Sequence, residues 1–169
     1  MPRQLNTLWF AQSAVDELAR ETRRHFPNES GGILLGYWAR QPTEAVVTEA
    51  VGPGPHAEHR KNGFRPDADY HEAAIAEAYP GSGTRITYLG DWHSHPASSG
   101  ALSKRDRRTL RHIAEEPDSR LPRPFMVIVG RRDRRMEIAA WQGRLTRSER
   151  LYVTGVWVRP FQMRSAPER

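Results

Sequence analysis

Two short motifs a few residues apart constrain the fold of this chain more than any other feature. Residues 90–96 read GDWHSHP, and residues 103–106 read SKRD. Side chains alternate along a strand, so His93 and His95 project from the same side of an extended backbone. Ser103 and Asp106 are three positions apart, which places them on one face of a helix that begins after the intervening loop. If that helix starts beside the end of the strand, two imidazoles and one carboxylate meet at a single point.

These side chains offer two nitrogen ligands and one oxygen ligand. Magnesium and calcium favour oxygen-only sites, whereas a mixed set with an open position suits catalytic zinc. Each of the two motifs also has a simpler interpretation. Most His-x-His pairs bind no metal, and Ser-x-x-Asp is an ordinary N-terminal capping box. The capping role and the ligand role are compatible. We therefore expect one zinc ion per chain, held by His93, His95 and Asp106, with a water as the fourth ligand.

Together with the upstream run ESGGILLG at residues 29–36, these motifs resemble the JAMM (MPN-plus) zinc metalloprotease family, in particular its small prokaryotic JAB branch. The resemblance covers residues 5–142. It implies an α+β fold of the cytidine-deaminase-like type, with a single mixed curved β-sheet flanked by helices. The alternation of strand and helix patterns along the chain agrees with that class.

The resemblance also implies roles for two further residues. Glu29 matches the family's general acid/base, although its position alone would suggest a solvated charge at a helix–strand junction. Ser103 matches the serine whose hydroxyl stabilises the tetrahedral oxyanion. Asp91 either supports the ligands or faces a turn. No individual substrate-binding residue is predicted, but we expect the loop over residues 52–65 to contact the substrate.

The activity implied is that of a zinc-dependent isopeptidase that cleaves after the C-terminal glycine of a ubiquitin-like protein or its conjugates. The implied setting is a bacterial ubiquitination-like system, including antiviral operons, with E1-like and E2-like partners. Alternatives are deconjugation of a nucleotide-cyclase-type protein and processing of a sulfur-carrier protein. A non-catalytic MPN scaffold is a further alternative, but such members usually lose metal ligands, and all are present here. An extended substrate tail could add to an exposed strand edge near the zinc.

Hydrophobic periodicity predicts the remaining elements. Strands are expected over residues 5–10, 29–38, 43–51, 85–92, 125–129, 136–141 and 152–158, and helices over 13–26, 66–79 and 103–115. Ser13 is the predicted N-cap of the first helix. Residues 1–160 are expected to form one domain and residues 161–169 a disordered tail. Five other histidines lack partners at metal-ligand spacing and are predicted to lie at the surface: His25, His56, His59, His71 and His112.

Composition excludes several classes of protein. The absence of cysteine rules out disulfides, thiol catalysis and Cys-type zinc sites. No apolar run approaches 18 residues and Met1–Gln4 lacks a signal-peptide core, so neither a membrane span nor a signal peptide is expected. Because the chain has no cysteine, we expect it in the reducing cytoplasm. The net charge is +6, and nearly all of the positive charge comes from arginines that are spread along the chain. A nucleic-acid partner is therefore not expected. The arginine clusters at 105–111 and 131–135 are solvated surfaces or a docking surface for an acidic protein.

Overall fold

The computed structural model of the chain describes residues 6–41, 43–83, 85–146, 148 and 150–161. In chain order its elements are β1 (Thr7–Ala11), α1 (Gln12–His25), β2 (Gly31–Trp38), β3 (Glu44–Val51), β4 (Glu58–Arg60), β5 (Gly63–Arg65), α2 (Ala68–Gly81), β6 (Thr87–Ser94), α3 (Lys104–Glu115), a short 3-10 helix (Pro117–Ser119), β7 (Phe125–Arg132), β8 (Arg135–Leu145) and β9 (Leu151–Phe161).

Seven of these strands form one mixed sheet in the order β1-β3-β2-β6-β7-β8-β9. The β1–β3, β1–β9 and β6–β7 pairs are parallel, and the other neighbours are antiparallel. The predicted α+β class with a curved mixed sheet is confirmed. The sheet also closes into a barrel, which the sequence did not indicate, because β9 runs beside β1 from Thr7↔Trp157 to Ala11↔Phe161.

The main core lies on the inner face of the sheet and includes Ala14 and Leu18 of α1, whereas α2 and α3 pack against the outer face. Short apolar runs become buried strands: residues 125–129 of β7 are fully buried, since β6 and β8 flank the strand and α3 packs over one side. On α3, Leu110 packs against Met126 and Ile128. On α2, the small residues Ala74 and Ala78 pack with Ile75 against β2 and β3. This packing fixes α3 beside β7, next to the strand that carries the histidines.

Two predicted boundaries are wrong. The first helix begins at Gln12 with Ala11 as N-cap and without a side-chain cap, so Ser13 does not cap it. The reason is that β1, paired with β9 through Ala11, runs directly into the helix. Residues 52–65 are not only a loop, because β4 and β5 form a separate antiparallel hairpin across Lys61 and Asn62. Strands of three residues are too short for the two-residue alternation of apolar and polar side chains to be recognised in the sequence.

One residue of the predicted tail, residue 161, lies in a strand. Phe161 ends β9 and is 8 % exposed, packed in the core, whereas residues 162–169 lie outside the described residues. Within the described part of the chain, no helix is both long and apolar enough to cross a membrane.

Candidate metal centre and active site

Strand β6 carries the two histidines at the end of its hydrogen-bonded ladder. His93 is paired with Gly31 on one side and with Ile128 on the other. Just past the strand, the backbone N–H of His95 donates to the Val129 carbonyl at 2.8 Å. The alternation of a strand then places both rings on one side. Trp92, immediately before His93, turns the other way, is 1 % exposed and donates its indole N–H to the Val51 carbonyl at 2.9 Å.

Gly31 and Gly32 allow β2 to lie unusually close to this strand. A Cβ at residue 31 would come within 2.6 Å of the Trp92 carbonyl oxygen and 2.8 Å of the His93 Cβ. A Cβ at residue 32 would come within 1.9 Å of the Val51 carbonyl oxygen. Neither position can hold a side chain without moving backbone. The glycine pair therefore has a steric role next to the histidines.

The start of α3 supplies the carboxylate. Ser103 is the N-cap: its Oγ accepts from the Asp106 N–H at 3.2 Å, and Asp106 Oδ2 accepts from the Ser103 N–H at 2.5 Å. This reciprocal capping box holds the Asp106 side chain in one orientation. Leu110, one turn further along α3, is fully buried and anchors the helix. Asp106 is consequently 2 % exposed and directed at the histidines.

The three side chains meet with ligand atoms all within 4.8 Å of one another. His93 Nε2 lies 3.0 Å from His95 Nε2 and 3.0 Å from Asp106 Oδ1, and His95 Nε2 lies 3.6 Å from Asp106 Oδ2. Two neutral imidazole lone pairs and a carboxylate that face one another repel unless a cation or proton lies between them. A mixed nitrogen and oxygen donor set of this size fits a divalent transition metal, and zinc in particular.

The electrostatics of the cluster favour the ligand forms of these groups. Burial lowers the pKa of His95, and the charge of His93 adds to that effect. Burial alone would raise the pKa of Asp106, but hydrogen bonds from His93 and Ser103 and the charge of His93 outweigh it and hold the value at about 2. A metal ligand must be a neutral imidazole or an ionised carboxylate. Both shifts therefore run in the direction that metal binding requires.

Glu29 approaches the same point from the connection between α1 and β2. Its backbone N–H donates to the Arg60 carbonyl at 2.8 Å, and its own carbonyl lies 3.0 Å from His59 Nδ1, so the β4–β5 hairpin holds it on both sides. Burial raises the pKa of the Glu29 carboxyl, with a further contribution from Asp106, although two cationic neighbours oppose it. A carboxyl with a raised pKa is better matched to proton transfer near neutral pH.

All five predicted site residues line one cavity of about 390 Å³. The Ser103 hydroxyl, whose oxygen accepts a hydrogen bond in the cap, is among the groups that line this cavity. Arg105 crosses from α3 to the hairpin and donates to the Asn62 carbonyl at 3.2 Å. The hairpin and the first turn of α3 thus form the two sides of the cavity mouth.

The sequence left the role of Asp91 open and did not predict the contacts of three histidines. Asp91 lines the cavity and accepts a hydrogen bond from the Tyr88 hydroxyl at 2.6 Å, and burial raises the pKa of its carboxyl. His71 also lines the cavity and is 7 % exposed, so its predicted surface position is wrong. His25 and His59 stack on each other and are likewise not isolated. Only the packing of α2 brings His71 to the cavity, and only the packing of the hairpin against α1 brings His59 onto His25, so no local pattern indicates these contacts.

Comparisons with known proteins agree with this geometry. The family described as prokaryotic homologs of the JAB domain matches residues 11–143. A protein of Sinorhizobium fredii described as a probable metalloprotease is 36 % identical over 146 residues, which is 86 % of this chain and 88 % of the relative. A CD-NTase/cGAS isopeptidase of Vibrio cholerae is 30 % identical over 109 residues, which is 64 % of this chain and 66 % of the relative.

Solved structures show the same fold. The solution structure of a protein from Desulfitobacterium hafniense superposes with a TM-score of 0.67 at 18 % identity and covers 92 % of this chain and 94 % of that one. The matched family segment contains both halves of the metal-ligand motif and Glu29. The chain therefore belongs to the prokaryotic JAB-domain family, which is of the metallopeptidase type.

Proposed function

We propose that this protein is a zinc-dependent isopeptidase that uses His93, His95 and Asp106 as metal ligands. The observation that carries the proposal is the convergence of these three ligand atoms in the cavity that also contains the Glu29 carboxylate. Three protein ligands and one open position are typical of catalytic zinc, whereas structural zinc sites are closed by four. Relatives described as a metalloprotease and as isopeptidases support the same reaction class.

A zinc ion held there would supply Lewis acidity and lower the pKa of a coordinated water. The chain's own residues do the rest. Glu29 accepts the proton of the attacking water and delivers it to the amine that leaves. The Ser103 hydroxyl donates a hydrogen bond to the oxyanion that forms at the scissile carbonyl. The capping box keeps that hydroxyl and the Asp106 ligand in fixed relative positions.

The substrate we propose is a protein tail that ends in glycine and is joined to an amine. The β4–β5 hairpin beside the cavity is a separate two-stranded sheet, and among the described residues β5 pairs with no strand other than β4. An extended tail can add to β5 and continue past Phe64, which lines the cavity, towards the metal ligands. The barrel offers no such edge in the described sheet because it is closed.

Two kinds of protein could supply such a glycine-ended tail. The first is a ubiquitin-like protein attached by E1-like and E2-like enzymes. The second is a nucleotide-cyclase-type enzyme, and the names of four relatives as CD-NTase/cGAS isopeptidases favour it. Both present a C-terminal tail joined through an isopeptide bond, so the same chemistry serves either.

The test is cleavage of three probes by the zinc-loaded protein: a ubiquitin-like protein joined to a lysine side chain, a CD-NTase joined in the same way, and a sulfur-carrier protein with a C-terminal extension. Glu29→Gln should lower turnover on the order of 10²–10⁴-fold while zinc binding persists. Glu115→Gln is the matched control, because this carboxylate lies at the far end of α3 against Arg111. A zinc-loaded wild type that cleaves none of the probes, or a Glu29→Gln variant as active as wild type, would contradict the proposal.

A further inference from the structure

The position of Glu29 depends on contacts outside the barrel. It lies between the end of α1 at His25 and the start of β2 at Gly31, in neither a helix nor a strand. Its two backbone hydrogen bonds both go to β4, from its N–H to the Arg60 carbonyl and from His59 Nδ1 to its carbonyl. Because a carbonyl can only accept, His59 Nδ1 carries the proton of that second bond. His59 is thus the only side chain of β4 that donates to the Glu29 backbone.

The His59 ring is itself held in place by aromatic neighbours. It stacks on His25 with ring centroids 3.7 Å apart and an interplanar angle of 12°. On the hairpin, it meets the Phe64 ring with centroids 5.5 Å apart and a tilt of 36°. His25 belongs to the last turn of α1 and lies 3.3 Å from the carboxylate of Glu21, which is 3 % exposed. A chain of contacts therefore runs from a buried acid of α1 through two stacked imidazoles to the backbone of Glu29.

We infer that His59 is a positioning residue for the Glu29 carboxylate. Stacking on His25 fixes the plane of the His59 ring, and the ring's Nδ1–H fixes the Glu29 carbonyl and with it the direction of the side chain. The inference rests on the proposed role of Glu29 in proton transfer. Proton transfer requires hydrogen-bond reach, and a displacement of about 1 Å can lower a rate on the order of 100-fold. A residue outside regular secondary structure needs such an external support.

Two substitutions separate the hydrogen bond from the stacking. His59→Phe keeps an aromatic ring against His25 and removes the donor. His59→Asn removes the ring and places an amide N–H close to where Nδ1–H lies. If the hydrogen bond positions Glu29, His59→Phe should lower kcat about 10- to 100-fold with little change in KM, and His59→Asn should recover most of the loss. His112→Phe, the same substitution at an exposed position near the end of α3, is the matched control and should retain wild-type kcat.

A second measurement needs no substrate. Hydrogen exchange of the Glu29 amide, which donates to Arg60, reports local opening of this connection. We expect exchange about tenfold faster in His59→Phe, as for a lost hydrogen bond of about 1.4 kcal/mol, and close to the wild-type rate in His59→Asn. Zinc content should stay the same in all variants, since the contacts described for His59 are with Glu29, His25 and Phe64.

The outcomes are distinct from those for the proposed function. Wild-type exchange and wild-type kcat in His59→Phe would overturn the inference, as would a loss in His59→Asn that equals or exceeds the loss in His59→Phe, because the hydrogen-bond donor would then not account for the effect. If His59→Phe does not fold, His59→Ala and His59→Asn form the decisive pair under the same criterion. Loss of activity in Glu29→Gln with full activity in His59→Phe would refute only this inference. Full activity in Glu29→Gln would refute the proposed function, and the exchange rates would still decide the positioning.

Discussion

Replacing Gly31 with alanine should destabilise the fold and weaken metal binding at the same time. A Cβ at residue 31 would lie 2.6 Å from the Trp92 carbonyl oxygen, 2.8 Å from the His93 Cβ and 2.9 Å from a ring carbon of Phe64. The first two contacts involve β6, which is hydrogen-bonded to β2 on one side and to β7 on the other. The strand cannot move aside without disturbing these ladders, and any movement displaces His93.

The magnitude follows from the nature of these contacts. Overpacking of a well-packed interior costs roughly 1–3 kcal/mol, and two contacts under 3.0 Å against strand β6 place this substitution at about 2 kcal/mol or above. For a domain of this size, a loss of about 2 kcal/mol in the free energy of unfolding lowers the melting temperature by about 4–8 °C. We expect zinc affinity to fall about 10- to 100-fold, as when a metal ligand loses its supporting contact.

The assay is urea unfolding and thermal melting of the metal-free protein, because bound zinc would add its own stabilisation, followed by zinc titration against a chelator. Gly81→Ala is the matched control: it lies at the end of α2, and an added Cβ would meet nothing within 4 Å. That variant should be unchanged or slightly more stable, since alanine restricts the unfolded chain. If Gly31→Ala has wild-type stability and zinc affinity, the close approach of β2 and β6 does not constrain the site.

Three further expectations concern the same cavity. Ser103→Ala should lower turnover on the order of 10²–10³-fold and stability by about 1 kcal/mol through the lost cap, with zinc retained; loss of zinc in that variant would assign the serine to the metal site. Zinc affinity should fall as the pH is lowered from about 8 to about 4, because the imidazole ligands become protonated. Asp106 should add no separate step, since its pKa of about 2 keeps it ionised over this range. A chelator-competition titration at each pH would reveal any such step. Tyr88→Phe should cost about 1–3 kcal/mol in urea unfolding, because it leaves the half-buried Asp91 carboxylate without its donor; an unchanged unfolding midpoint would mean that water replaces the hydroxyl.

The sequence predicted those parts of the structure that local geometry controls. The two-residue period of a strand is enough to place His93 and His95 on the same side, and the capping box is enough to start α3 at Lys104. The apolar run over 125–129 indicates a buried strand without any knowledge of its neighbours. These features bring the three proposed ligands together because the helix packs beside the strand.

Other features depend on contacts between distant segments. Closure of the barrel requires β9 to reach β1 across nearly the whole chain, and no local period reports that pairing. The hairpin of β4 and β5 has strands of three residues, and its function lies in contacts with Glu29 and Arg105 that appear only in three dimensions. His25 and His59 are 34 positions apart yet stack in the fold, so each looked isolated in the sequence.

The central claim is that His93, His95 and Asp106 hold a catalytic zinc, and elemental analysis of the purified protein tests it most directly. The wild type should contain about one zinc per chain, as in other catalytic sites with three protein ligands, and His95→Ala should contain little. Thermal unfolding of both proteins will show that the variant is folded. If neither protein takes up zinc when it is supplied, or if both hold it equally, the metal centre described here is wrong.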